Sequence, residues 1–209
     1  MAVLVLPPDY FAVFALQRLL NVDLAALEKT FYTQSRKLHP DRFAAKPVAE
    51  QEAALAQSSL LNDAYRTLKD PIARTQYLLT LEGIQLEEQS KAATDAARAS
   101  GQQKKQVVPP ELLEEVFELN MQLAEMRAAK QMGEDEPELR RDLLTAKDSF
   151  DEKMVETQAE LEALWSKWDT ALDAGDQATQ TAVRDAMVVL LNKRTYLRNL
   201  VRDVNEALE

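Results

Sequence analysis

Apolar residues recur at helical spacing along most of this chain, and the points where the recurrence breaks mark the element boundaries. Leu24, Leu27, Phe31 and Leu38 form one stripe with polar residues between them. Asp23 precedes that stripe as an N-cap, and Pro40 disfavours helical backbone at His39. The spacing therefore predicts a helix from about residue 24 to Leu38. Upstream, Asp9 is placed to cap a short helix bearing Tyr10, Phe11, Val13, Phe14 and Leu16. A loop over residues 41–46 follows the second helix, and Pro47 suits the first turn of a third. That third pattern runs through Ala54, Leu60, Leu61, Ala64, Tyr65 and Leu68. A further helix starts at Pro71, carries Ile72, Tyr77, Leu78, Leu79 and Leu81, and closes at Gly83.

The pattern lapses over residues 84–110, where large apolar side chains are sparse until Val107 and Val108. This stretch reads as a linker with a weak helix inside it. Three long amphipathic patterns follow. The first carries Leu112, Leu113, Val116, Phe117, Leu119, Leu123 and Met126 and stops near Gly133. The second begins by Pro137, carries Leu143, Leu144, Phe150, Met154, Leu161, Trp165, Trp168 and Leu172, and stops at Gly175. The third opens at Asp176 and carries Val183, Met187, Leu190, Leu191, Tyr196, Leu197, Leu200, Val204 and Leu208. Three such helices with short connections predict an antiparallel bundle. The expected fold is all-α: an N-terminal domain over residues 1–83, a linker over 84–110 and a C-terminal three-helix bundle over 111–209. The aromatic stripe of residues 1–83 suggests that this part folds alone.

Composition sharpens the picture. Four glycines in 209 residues, with abundant alanine, leucine, glutamate and glutamine, favour helix over a many-turned β fold. With no cysteine and a single histidine, His39, disulfides, thiolate metal sites, cysteine nucleophiles and histidine clusters are excluded. There is no glycine-rich phosphate loop and no nucleophile motif, so an enzyme is not expected, nor a cofactor or metal. No apolar run reaches membrane-spanning length, and residues 1–8 lack the layout of a signal peptide, so a cytoplasmic protein with no membrane partner is expected. Residues 1–82 hold nine Lys/Arg and nine Asp/Glu, whereas the remaining 16 Lys/Arg and 26 Asp/Glu place the whole net charge of −10 beyond them. An acidic second half argues against nucleic acid as its partner. Residues 28–46 are locally basic, with Lys29, Arg36, Lys37, Arg42 and Lys46.

The tripeptide His39-Pro40-Asp41 lies between two amphipathic helices. A given tripeptide of this rarity arises by composition alone with a chance on the order of one per cent. Proline stiffens the loop, so the imidazole and carboxylate can stand outward for charge-assisted hydrogen bonds to a partner. The basic end of the preceding helix can steer that loop onto an acidic surface. The alternative reading is a helix-ending turn in which Asp41 caps nearby amides.

Upstream of the tripeptide stands Phe31-Tyr32-Thr33-Gln34-Ser35-Arg36-Lys37-Leu38. Downstream stands Leu60-Leu61-Asn62-Asp63-Ala64-Tyr65-Arg66-Thr67-Leu68, then Asp70-Pro71. This arrangement resembles the J domain of DnaJ-type co-chaperones, a helical hairpin whose loop carries the His-Pro-Asp motif. The opening Asp9-Tyr10-Phe11-Ala12-Val13-Phe14, the segment Arg74-Thr75-Gln76-Tyr77-Leu78-Leu79-Thr80-Leu81-Glu82-Gly83 and the acidic helical second half together resemble HscB, the co-chaperone family of iron–sulfur cluster assembly. The resemblance implies that the J domain stimulates the ATPase of a DnaK/HscA-type chaperone through His39, Pro40 and Asp41, with Tyr32, Arg36 and Lys37 beside them. It implies that the bundle binds an IscU-type scaffold through Leu113, Phe117, Glu118 and Glu125 on its first helix and Tyr196 on its last. Leu113, Phe117 and Tyr196 equally suit core packing, and the two glutamates could simply be solvated. The bundle could also hold a different client, and a purely structural helical protein is a further reading. Two positions depart from the family pattern: Ala15 stands where glycine is usual, and Met121 where glutamate is common. The metal-binding cysteines of some eukaryotic relatives are absent, so the resemblance implies no zinc.

Overall fold

In the computed structural model, residues 9–84 and 108–209 are described, and all the elements among them are helical. The weak helix expected within residues 84–110 lies outside them. The fold is all-α, with helix α1 over Tyr10–Val13, α2 over Leu24–Lys37, α3 over Val48–Lys69 and α4 over Pro71–Leu81. A second set follows, with α5 over Leu113–Met132, α6 over Pro137–Ala174 and α7 over Gln177–Leu208.

The boundaries follow local chemistry. Asp9, Asp23 and Asp70 accept hydrogen bonds from the first amides of α1, α2 and α4. Asp176 does the same for α7, accepting from the Thr179 amide at 3.0 Å and the Thr179 hydroxyl at 2.6 Å. These bonds, led by the hydroxyl, hold its carboxyl below the usual aspartate range. At the other end of α5, Gly133 sits at φ 73, where it costs little strain. There the Glu134 amide reaches back to the Ala129 carbonyl at 3.0 Å and satisfies an end that α5 would otherwise leave open.

Helix α1 is shorter than the apolar pattern suggested. It ends at Val13 because the chain turns left-handed at Ala15, with φ 53. The Leu16 amide donates to Phe11 O at 2.9 Å and the Ala15 amide to Ala12 O at 3.1 Å, a helix-ending motif that ordinarily uses glycine. A left-handed alanine costs on the order of 1 kcal/mol. Ala15→Gly is therefore expected to raise stability by about 0.5 kcal/mol, after allowing for the freer unfolded chain. Urea denaturation measures this, and a loss of stability would mean that the strain is already relieved.

The described residues fall into two compact units. The first joins residues 9–84 with residues 165–184, which are the end of α6 and the start of α7. Its core packs Phe11, Phe14, Leu27, Leu61, Ala64 and Leu68, with Phe31 stacked on Tyr65 at 4.1 Å and Tyr10 on Tyr77 at 4.4 Å. The Tyr77 hydroxyl accepts from the Tyr10 amide at 3.0 Å, and burial raises its phenol above the ordinary value.

Within this unit the segment between α1 and α2 is held mainly through its backbone. Trp168, 1% exposed, donates its indole N–H to the Arg18 carbonyl at 3.0 Å. The Asp169 carboxylate accepts from the amides of Leu20 at 2.7 Å and Asn21 at 2.9 Å, and from the Asn21 side chain at 2.8 Å. Buried Arg74 donates to the carbonyls of Leu20, at 3.0 Å, and Leu68. Desolvation lowers the Arg74 pKa from its ordinary value, partly offset by Asp169 and Asp70.

The second unit takes residues 108–164 and 185–209 among those described. Leu112, Val116, Leu119, Leu123 and Met126 supply the α5 side of its core. Leu139, Leu143 and Phe150 supply the α6 side, and Tyr196, Leu197, Leu200, Val204 and Ala207 the α7 side. These positions repeat every three or four residues, so each helix buries one stripe. Ion pairs from Lys153 to Glu115 at 3.1 Å and from Lys193 to Glu111 at 3.5 Å tie α6 and α7 to the start of the α5 segment.

Candidate functional site

Two sets of sequence-predicted residues stand out, one in each unit. In the first, α2 turns Leu27 and Phe31 towards α1 and α3 and leaves Tyr32, Arg36 and Lys37 exposed. Arg36 and Lys37 lie in its last turn, where cations complement the helix dipole. Arg42 reaches back to the Arg36 carbonyl at 3.4 Å. The helix stops at Lys37, and a single helical turn over Pro40–Arg42 follows.

His39 has extended backbone, φ −59 and ψ 131, as a residue before proline should. Its Nδ1 lies 3.3 Å from the Asp41 amide and 3.5 Å from the Asp41 carboxylate. The side chains of His39 and Asp41 are 58% and 89% exposed. Among the described residues, the Asp41 carboxylate accepts no backbone amide. The capping role falls to His39, and Asp41 points its charge into solvent.

The second set lies on α5. Leu113, Phe117 and Met121 are 55%, 69% and 60% exposed. They stand four residues apart, so they form one apolar stripe on the side of α5 away from the core. Glu118 and Glu125 are exposed beside it. The expectation of an apolar patch made with Tyr196 is corrected. Tyr196 is 7% exposed and packs in the core with Leu112, Phe150 and Leu197, and burial raises its phenol above the ordinary value. A ring on the same stripe of α7 as Leu200 and Val204 gains more from burial than from exposure. Met121 takes the third place in the exposed stripe. In the sequence Met121 reads only as a departure from the family pattern, and its position one turn beyond Phe117 is the signal that it belongs to the stripe.

Among the described residues no group of acidic or histidine side chains is arranged to hold a metal ion, and no helix is long and apolar enough to cross a membrane. No family model matches the chain. Two solved structures share its fold across nearly the whole length. The chaperone HscB from Vibrio cholerae is 22% identical, with a TM-score of 0.58, and the match covers 95% of this chain and 96% of that one. The human co-chaperone protein HscB is 25% identical, with a TM-score of 0.55, and the match covers 95% of this chain and 81% of that one. These likenesses support an HscB-family assignment.

Proposed function

From the HscB-family assignment as premise, we propose that this protein is a co-chaperone that stimulates the ATPase of a DnaK/HscA-type chaperone and delivers to it an IscU-type scaffold for iron–sulfur cluster assembly. It does so as a binding partner without chemistry of its own, and its place of work is the cytoplasm. The observation that carries the reading is the exposed His39-Pro40-Asp41 turn at the end of a basic helix. A solvated carboxylate and an imidazole N–H on a stiff turn offer a partner one acceptor and one donor in fixed geometry. Tyr32, Arg36 and Lys37 extend that face along α2 and favour an acidic counterpart.

The test is a steady-state ATPase assay with a DnaK/HscA-type chaperone, an IscU-type scaffold and this protein. Addition of the protein is expected to raise the hydrolysis rate, and more so with the scaffold present. An unchanged rate under both conditions would remove the reading.

The scaffold role rests on the α5 stripe. Exposed apolar side chains in a row beside carboxylates make a binding surface of ordinary kind. Leu113→Ala with Phe117→Ala is expected to weaken scaffold binding by about tenfold or more, since truncating a central anchor costs about 2 kcal/mol. The melting temperature should hardly move, because neither side chain is in the core. Tyr196→Ala is expected to do the opposite, destabilising the second unit by about 3 kcal/mol. Calorimetric titration and thermal melts read the two effects, and a destabilised Leu113/Phe117 double variant would place those residues in the core instead. A client other than an IscU-type scaffold would show as normal chaperone stimulation without scaffold binding.

A further inference from the structure

We infer that Gln51, in the first turn of α3, is a positioning residue for the His39-Pro40-Asp41 turn: its side-chain amide clamps the far end of the loop that carries the turn. The inference rests on the co-chaperone reading and adds to that site a residue outside the motif. Residues 41–46 join the turn to α3, and their side chains are exposed apart from half-buried Phe43. The amide bonds within this stretch close it on itself. Arg42 donates to the His39 carbonyl at 3.0 Å, Phe43 to the Pro40 carbonyl at 2.9 Å and Lys46 to the Phe43 carbonyl at 2.8 Å. These bonds set the local curl but not where the loop stands against the two helices.

Two side chains supply that, one at each end of the loop. Arg42 reaches the Arg36 carbonyl on α2 at 3.4 Å. From the other side, Gln51 Nε2 donates to the Lys46 carbonyl at 2.8 Å and to the Ala44 carbonyl at 3.4 Å. Both contacts are carbonyl oxygens, so the amide nitrogen faces them and its pair of hydrogens meets a pair of acceptors. The start of α3 leaves this task to Gln51, because its N-cap, Pro47, makes no side-chain bond. A long side chain on a helix leans back towards the N-terminus, which brings the Gln51 amide over the carbonyls that precede α3. Ala44, Lys46 and Gln51 are all exposed, so water replaces a lost bond and the clamp adds little to global stability. What it supplies is one arrangement of the loop. A partner that binds that arrangement alone loses apparent affinity in proportion to the fraction of chains that have left it. The contribution of Gln51 therefore lies in how much protein the chaperone requires, not in the rate reached once the complex is full.

The test titrates the full chain and its Gln51→Met, Gln51→Ala and Gln57→Met variants into a DnaK/HscA-type chaperone and follows ATP hydrolysis. Methionine matches glutamine in length and helix preference but has no donor. Gln57 is exposed farther along α3 and serves as the control. Both Gln51 variants are expected to raise the concentration for half-maximal stimulation about threefold and to leave the maximal rate unchanged. Gln57→Met should change neither. Nitrogen-15 relaxation is expected to show added motion at the amides of residues 41–46 in the Gln51 variants, with the melting temperature nearly unchanged. An unchanged half-maximal concentration overturns the inference, and so does an equal rise in Gln57→Met. A fall in melting temperature with no change in half-maximal concentration would leave Gln51 a structural residue only. If the unchanged chain itself gives no stimulation, the co-chaperone reading fails and the inference falls with it.

Discussion

His39→Gln and Asp41→Asn are each expected to abolish stimulation of the partner ATPase while leaving the melting temperature unchanged. Both side chains project from a turn and neither packs against the core, so replacing them should alter stability by no more than about 0.5 kcal/mol. Their effect on a partner is of another size. A charge-assisted hydrogen bond desolvated at an interface is worth about 1.5–3 kcal/mol, and removing it strands the group opposite as well. At the upper end that is more than a hundredfold in the population of the productive complex. Glutamine keeps a donor near the position of Nε2 but loses the ring and its second nitrogen, and asparagine keeps the shape of aspartate but not its charge. Each substitution thus isolates one feature of the turn. A single-turnover ATPase assay measures the outcome, and full stimulation by either variant would remove the motif from the mechanism.

Trp168→Ala is expected to cost about 3–5 kcal/mol, a large share of the 5–15 kcal/mol that holds a typical domain together. The indole is almost wholly buried in the first unit, and its N–H satisfies the Arg18 carbonyl. Truncation leaves both a cavity and an unpaired acceptor. Asp169→Ala should cost less, about 1–3 kcal/mol, by leaving the Leu20 and Asn21 amides without their acceptor. Hydrogen exchange locates the damage: in either variant the Leu20 and Asn21 amides should lose protection before those of α3. A fragment of residues 1–83 lacks Trp168 and Asp169, and it is expected to melt below the same residues in the full chain. Equal protection in fragment and full chain would show that residues 165–184 add nothing to the first unit.

How much of this was legible in the sequence depends on how local the deciding interaction is. Asp23 and Pro40 act on their own neighbours, so the ends of α2 could be read directly. The exposed setting of His39 and Asp41 followed from the same proline. The overlong reading of α1 came from counting Phe14 and Leu16 as helical, because an apolar pattern does not register a left-handed alanine at position 15. The α5 stripe was half legible. That helix carries more apolar positions than one buried face can use, and Leu112, Val116, Leu119, Leu123 and Met126 fill the core side. The surplus at Leu113, Phe117 and Met121 had to face outward, yet spacing alone does not say which set is which. Tyr196 fell on the other side of that ambiguity. The roles of Trp168 and Asp169 were not legible at all, since their partners lie about 150 residues away and no periodicity connects them.

The grip of Arg74, Trp168 and Asp169 on the segment between α1 and α2 has a consequence for how substitutions distribute. Most of what is gripped is main chain: the carbonyls of Arg18 and Leu20 and the amides of Leu20 and Asn21. Every residue type offers a carbonyl, and every type but proline offers the amide. Side-chain identity in residues 18–21 therefore matters most at buried Leu20 and less at Arg18 and Asn21, whose side chains add one bond to Asp9 and one to Asp169, while the distant residues that hold the main chain cannot change. In a saturation scan the intolerance belonging to this joint would appear at positions 74, 168 and 169 and at Leu20, while positions 18, 19 and 21 would lose little, apart from proline at 21.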